Sequence, residues 1–211
     1  MQIRWLPCAS AVVFCLGLWA PGLASAAGDP EAGAAQAMVC AACHGQDGAS
    51  GVDPSYPNLA GQNEKYLYNQ LVMIQKDERK ILLMAGQLIG KSDQDLQDLA
   101  AYYASLPAKM GQAEGDDESI ELAEQIYRGG IAKKGVAACS ACHAPNGEGN
   151  ASAGFPAVAG QAGSYTIAQL TAYREGRRQT DEGYGGMMRG VAGGLTDGEI
   201  AALADYLQGL H

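Results

Sequence analysis

The chain has 211 residues, 14 Lys and Arg against 23 Asp and Glu, a formal net charge of −9, and 47% hydrophobic residues. The acidity excludes a nucleic-acid partner, because no basic surface is available to neutralise phosphates. Apolar residues recur in periodic segments along the whole chain, which excludes a disordered polymer and leaves one large domain or two small ones.

Residues 1–26 read as a secretory signal peptide. Arg4 supplies the positive start, 9–20 is apolar, and Ala24-Ser25-Ala26 is a small-residue cleavage site. The apolar run falls short of the roughly 20 residues a transmembrane helix needs, which weighs against the competing reading of an uncleaved anchor. Cys8 and Cys15 lie in this segment and are assigned no function. Cleavage removes Arg4 and leaves 13 basic against 23 acidic side chains, a net charge of −10. Such a surface repels acidic partners at long range. No other stretch could span a bilayer, so the expectation is a soluble periplasmic protein, with peripheral membrane association left open.

From residue 27 the reading is helical. Asp29-Pro30-Glu31 starts a helix with proline at its first position. That helix leads into Cys40-Ala41-Ala42-Cys43-His44. A long loop rich in Gly, Pro and Asn follows between Gly45 and Gly61, and in a small domain such a loop needs something to wrap around. A second helix is predicted over 63–76, with Tyr66, Leu67, Gln70, Leu71 and Ile74 near one face. The last helix starts at Ser92, with Asp95 three residues on as a capping box, and carries Leu96, Leu99, Ala100 and Tyr103 at helical spacing. Residues 107–117 are polar, hold two glycines and three acids, and suit an exposed linker.

The chain then repeats itself. At an offset of 99, Cys139-Ser140-Ala141-Cys142-His143 copies the first motif and Phe155-Pro156-Ala157-Val158-Ala159-Gly160-Gln161 copies Tyr56–Gln62; Tyr165 and Gln169-Leu170 copy Tyr66 and Gln70-Leu71. After a five-residue insertion the offset is 104, and Thr196–Ile200, Leu203 and Tyr206 copy Ser92–Leu96, Leu99 and Tyr102. The expected organisation is a signal peptide (1–26), an N-terminal domain (27–106), a linker (107–117) and a C-terminal domain (118–211), all-α throughout.

C-x-x-C-H has a specific chemical meaning. Two thiols one helical turn apart bond the two vinyl groups of a haem, and the adjacent histidine binds its iron. Cys40 and Cys43 are therefore predicted to hold one covalent haem c, and Cys139 and Cys142 a second. Zinc held by four cysteines is the competing metal reading. The pairs lie 99 residues apart in separate copies, each followed by a histidine that zinc does not need. A disulfide within each motif is also disfavoured, since neither sits in a thioredoxin-like pattern.

The axial ligands follow by elimination. With His44 and His143 proximal, only the C-terminal His211 remains, so two bis-histidine haems are excluded. A methionine thioether is the usual alternative. Met38 is too close to its cysteine motif, Met73 reads as core and Met110 lies in the linker. Met84 is eight residues before Ser92 and Met188 eight before Thr196. Those two are the predicted ligands, in equivalent loops, with Met187 as the fallback. The carbonyls of Pro57 and Pro156, each 13 residues after its histidine, are expected to hold the imidazoles. Tyr66, Tyr165, Arg79 and Arg178 are weaker candidates for haem propionates.

The order CAACHGQDG, YPNLAGQ, Met84, SDQDLQDLAAYYASLP, then CSACHAPNGEGN, FPAVAGQ, Met188 and LTDGEIAALADYLQGLH resembles the cytochrome c4 family over essentially the whole mature chain. The resemblance implies two class I cytochrome c domains about a pseudo-twofold axis, His/Met ligation of both irons, and delivery of electrons from the quinol-oxidising side of respiration to a terminal oxidase. Two irons with both axial positions filled suit a carrier rather than an enzyme such as a dihaem peroxidase. The alternative is an electron-accepting subunit of a dehydrogenase complex such as flavoprotein sulfide dehydrogenase.

Overall fold

The structure, a computed structural model, describes residues 1–2 and 28–211. The predicted signal peptide and its cleavage site, with Cys8 and Cys15, lie outside the described residues but for Met1 and Gln2. The first copy contains α1 (Pro30–Ala37), α2 (Ala41–His44), α3 (Glu64–Gln75) and α4 (Asp93–Ser105). The second contains α5 (Asp117–Gly129), α6 (Ser140–His143), α7 (Gly163–Arg174), α8 (Met187–Ala192) and α9 (Asp197–Gly209). Among the described residues the only β-pairing is two isolated bridges, Ile131 with Val136 and Asn150 with Phe155. No described helix is long and apolar enough to cross a membrane.

The helix starts follow the local sequence. The Asp29 carboxylate accepts from Glu31 N at 2.9 Å, with Pro30 at the first helical position. Both predicted capping boxes form. The Ser92 and Thr196 hydroxyls accept from the backbone of Asp95 and Glu199, whose carboxylates bond back to the cap N–H at 2.7 and 2.8 Å. These caps start α4 and α9, which form the backbone of each domain.

In the first copy α1 crosses α4, and Leu67, Leu99, Ala100 and Tyr103 close a small core with Ala37. The crossing is so close that a Cβ on Gly33 would sit 2.0 Å from the Asp98 carbonyl oxygen. Buried Asp98 adds a second tie, accepting from Asp29 N at 2.8 Å. In the second copy α5 packs on α9 around a larger core that includes Ala123, Ile126, Tyr127, Ile200, Leu203 and Leu207. Tyr127 is fully buried, and its hydroxyl donates to the Ala144 carbonyl at 2.5 Å.

The two copies meet through reciprocal contacts. The Gln62 amide bonds both the N–H and the C=O of Ala157, at 2.7 and 2.9 Å. The Gln161 amide does the same to Asn58, at 2.8 and 3.0 Å. Since 161 and 157 are the repeat partners of 62 and 58, each copy offers the other the same surface. That is the signature of a pseudo-twofold axis within one chain.

Most residues of 107–117 are exposed, but their backbone is tied down. Glu114 N and Gly115 N both donate to the Asp205 carboxylate, and Gln208 donates to the Gln112 carbonyl. The final residue, Asp117, already belongs to α5, because Asp116 caps that helix by accepting from Ser119 N. The segment is a strap over α9 rather than a free tether.

Two measurements test this packing. Gly33→Ala raises helix propensity by up to ~1 kcal/mol, yet overpacking against a backbone carbonyl costs ~1–3 kcal/mol. The expected net outcome is a lower thermal midpoint, where the propensity effect alone would raise it. Gln161→Ala leaves the Asn58 N–H and C=O without their partners and is expected to cost ~1–3 kcal/mol in chemical denaturation. Gln62→Ala should cost a similar amount, as its symmetry mate.

Candidate functional site

The C-x-x-C-H segments fold as single helical turns, α2 and α6, each ending on its histidine. The loops after them close back over the turn. The His44 Nδ1 lies 3.2 Å from the Pro57 carbonyl oxygen, and the His143 Nδ1 lies 2.8 Å from that of Pro156. A carbonyl only accepts, so Nδ1 carries the proton in both rings and Nε2 keeps its lone pair. Burial lowers the pKa of both imidazoles, which keeps them neutral and able to act as donors to a metal.

Cys40, Cys43, Cys139, Cys142, His44, His143, Met84 and Met188 all line one continuous cavity of about 750 Å³ that runs through both copies. Its walls are mostly aliphatic and aromatic side chains, among them Leu67, Leu71, Leu99, Leu170, Tyr173 and Leu203. Burial raises the Cys40 thiol and pushes that of Cys139 up to about 11.

Four methionines line the cavity, Met73 and Met84 from the first copy and Met187 and Met188 from the second. Met84 ends a 3-10 turn (Leu82–Met84) and is half-buried between two exposed neighbours. Met188 is half-buried in α8, whereas Met187 is 43% exposed. The expectation of equivalent loops is corrected here. The five-residue insertion falls between Arg178 and Met188 and lets the second copy build a short helix where the first has only a turn. Met73, read as core from its helical position, also lines the cavity, and its sulfur accepts from Gln70 Nε2 at 3.8 Å. Its repeat partner is Ala172, so no second-copy signal marked it.

Arg79 and Arg178, each only 8% exposed, meet across the pseudo-twofold axis. Arg79 donates to the Tyr165 hydroxyl and Arg178 to the Tyr66 hydroxyl, both at 2.9 Å. Both guanidiniums also donate to Gln70 and Gln169, 2.7–3.2 Å away. Every one of these partners is neutral, and among the described residues neither arginine pairs with a carboxylate. Burial would raise the Tyr165 phenol, but the two guanidiniums hold it below its usual value. Two buried cations in a neutral nest beside the cavity call for anions. Sequence reasoning named the four Tyr and Arg residues. It missed Gln70 and Gln169 as their shared acceptors, although the repeat offset pairs them.

This set fits a haem in each copy. It offers paired thiols one turn apart, an oriented imidazole, a thioether in the same apolar cavity, and a cationic site suited to propionate carboxylates. When bound, haem supplies a one-electron iron couple.

The comparisons agree with this geometry. A family model described as Cytochrome c matches the chain twice, over residues 30–107 and 131–211. The chain is 47% identical over 209 residues to cytochrome c4 of Stutzerimonas stutzeri, covering 95% of this chain and 98% of that one. The crystal structure of reduced recombinant cytochrome c4 from Pseudomonas stutzeri matches with a TM-score of 0.83 at 46% identity, over 88% of this chain and 100% of that one. A more distant relative is the thiosulfate dehydrogenase electron acceptor of Thiomonas intermedia (strain K12). It is 35% identical over 196 residues, covering 90% of this chain and 84% of that protein. The chain thus belongs to the cytochrome c4 family, electron-transfer proteins rather than enzymes, with two cytochrome c domains and two covalently bound haem c groups, one for each C-x-x-C-H motif.

Proposed function

We propose that this dihaem electron carrier works in the periplasm, taking electrons from the quinol-oxidising side of a respiratory chain and delivering them to a terminal oxidase. Cys40 and Cys43 bond the first haem, and His44 and Met84 are its axial ligands. Cys139 and Cys142 bond the second, with His143 and Met188. The domains divide at the strap, as 27–106 and 118–211. The observation that carries this reading is the joint lining of one cavity by both thiol pairs, both proton-committed histidines and thioethers from each copy, Met84 and Met188 among them. With a nitrogen and a sulfur on each iron, no coordination position is left for a substrate, so the chain's own residues serve to hold, insulate and dock.

Each part has a physical task. The proline carbonyls keep Nε2 available to the iron and fix the ring plane. The apolar walls exclude water, and the Met thioether, a soft donor, favours the ferrous state. Arg79 and Arg178 take the propionates, so the buried cations and the haem carboxylates neutralise each other beside the domain interface. Export rests on the 1–26 leader, and partner contact on a small and transient docking surface of the kind electron-transfer proteins use.

A second reading has its own support. The relative named as a thiosulfate dehydrogenase electron acceptor is 35% identical over most of both chains, and the same fold serves free carriers and complex subunits alike. On that reading the donor is a sulfur-compound dehydrogenase instead of a quinol-oxidising complex. Purifying the native protein from membranes and periplasm and identifying what co-elutes separates the two.

The ligand assignment is tested by replacement. Met84→Ala and Met188→Ala are each expected to keep two haems per chain, to remove about half of the ferric methionine–iron absorption band, and to let the altered haem bind carbon monoxide when reduced, since its sixth position is then open. The reduction potential of that haem should fall. A band that survives Met188→Ala and disappears with Met187→Ala would transfer the role to Met187.

A further inference from the structure

The insertion that distinguishes the second copy carries a device the first copy lacks. Residues 179–187 stand where the first copy has only 80–83. Within them Asp181 is 3% exposed and lines the cavity. Its carboxylate accepts from the backbone N–H of Arg189 at 2.9 Å and from the Arg189 Nε at 2.8 Å. Its carbonyl accepts from Gly186 N at 3.0 Å, just before α8 begins. Glu182 engages the far end of the same guanidinium. Arg189 immediately follows Met188, so these bonds fix the backbone that carries the Met188 thioether.

The first copy has nothing comparable. Met84 N and Ala85 N donate only to Ile81 O and Leu82 O of their own turn. The repeat partner of Arg189 is Ala85, and among the described residues no carboxylate bonds a backbone N–H of the 80–91 segment. Its one ion pair, Lys80 with Asp77, is 3.9 Å long and exposed, and such pairs are worth little. The tethers after the methionine do not account for the difference, because both copies have one: Gln75 holds the Leu88 and Lys91 carbonyls, and its repeat partner Arg174 holds that of Leu195.

We propose that Asp181 is a positioning residue for Met188, holding it through Arg189, and that the second haem therefore keeps its methionine against a competing ligand more firmly than the first. A buried carboxylate with a backbone N–H and a guanidinium in the same grip resists opening, since pulling the segment away strips both donors and leaves its charge buried without a partner. The first copy opens its loop by breaking turn bonds that water replaces. The inference rests on the reading of Met84 and Met188 as axial ligands.

The probe is imidazole, titrated into the ferric holoprotein while the methionine–iron band is followed. The wild type is expected to lose the band in two phases, the tighter one abolished by Met84→Ala and the weaker by Met188→Ala. Asp181→Ala should tighten the Met188 phase by about tenfold or more, the scale of losing a charged hydrogen bond, and leave the Met84 phase in place. Arg189→Gln, a milder change that decides the matter should Asp181→Ala not fold, should move the same phase in the same direction by less. Unmoved phases in both variants, or an equal tightening of both phases, would overturn the clamp. A Met188→Ala protein that keeps its whole methionine band would instead overturn the ligand assignment on which the clamp rests.

Discussion

Six residues in each copy do three tasks at once, and the architecture depends on them. The Pro57 carbonyl accepts the His44 proton, Asn58 is gripped through its N–H and C=O by Gln161, and Leu59 and Ala60 both donate to the Gly48 carbonyl. Gly61 then donates to the Tyr103 carbonyl on α4, and Gln62 reaches across to Ala157. The segment 156–161 repeats every one of these bonds from the other side. One short stretch thus orients the imidazole, ties the long loop to the last helix and docks the partner domain. The order of the histidine and the order of the interface are the same property.

This coupling explains how domains of such size keep a defined site. The first copy's own core is a handful of side chains, too little for an isolated unit of some 80 residues to be comfortably stable. The loops between the motif and the second helix wrap a cavity instead of a protein core, so the bound macrocycle completes the apolar interior. The cationic pair at the pseudo-twofold axis adds a condition. Among the described residues Arg79 and Arg178 have only neutral partners, and their burial is reasonable once carboxylates lie beside them. On the proposed function those carboxylates belong to both haems, which makes cofactor loading and domain docking mutually supportive.

The duplication has not left two equal sites. The second copy holds a larger core, a longer first helix and an insertion that replaces a turn by α8. The first exposes Leu82, Leu83 and Ile89 around its methionine turn, where the second has Gly186, Met187 and Gly193. The fold around the two sites is one plan used twice, but the surroundings of the two methionines differ.

Much of the site was legible in the sequence because covalent chemistry and local geometry are written in short spacings. Two C-x-x-C-H motifs, a histidine count of three, the eight-residue spacing before each last helix and the capping boxes name the thiols, the imidazoles, the candidate thioethers and the helix starts, since each depends on neighbours a few residues away. The repeat offset extended this to residues that are alike. It could not say which like residues meet. That Gln62 faces Ala157, that Arg79 donates to Tyr165 and Arg178 to Tyr66, that Met73 turns to the cavity and that the 107–117 segment is strapped to α9 were decided only by the tertiary structure. The physical reason is that, Met73 apart, these are contacts between segments 86 to 112 residues apart, set by how two finished helical units dock, and a pattern of periods and caps carries no information about that relative placement.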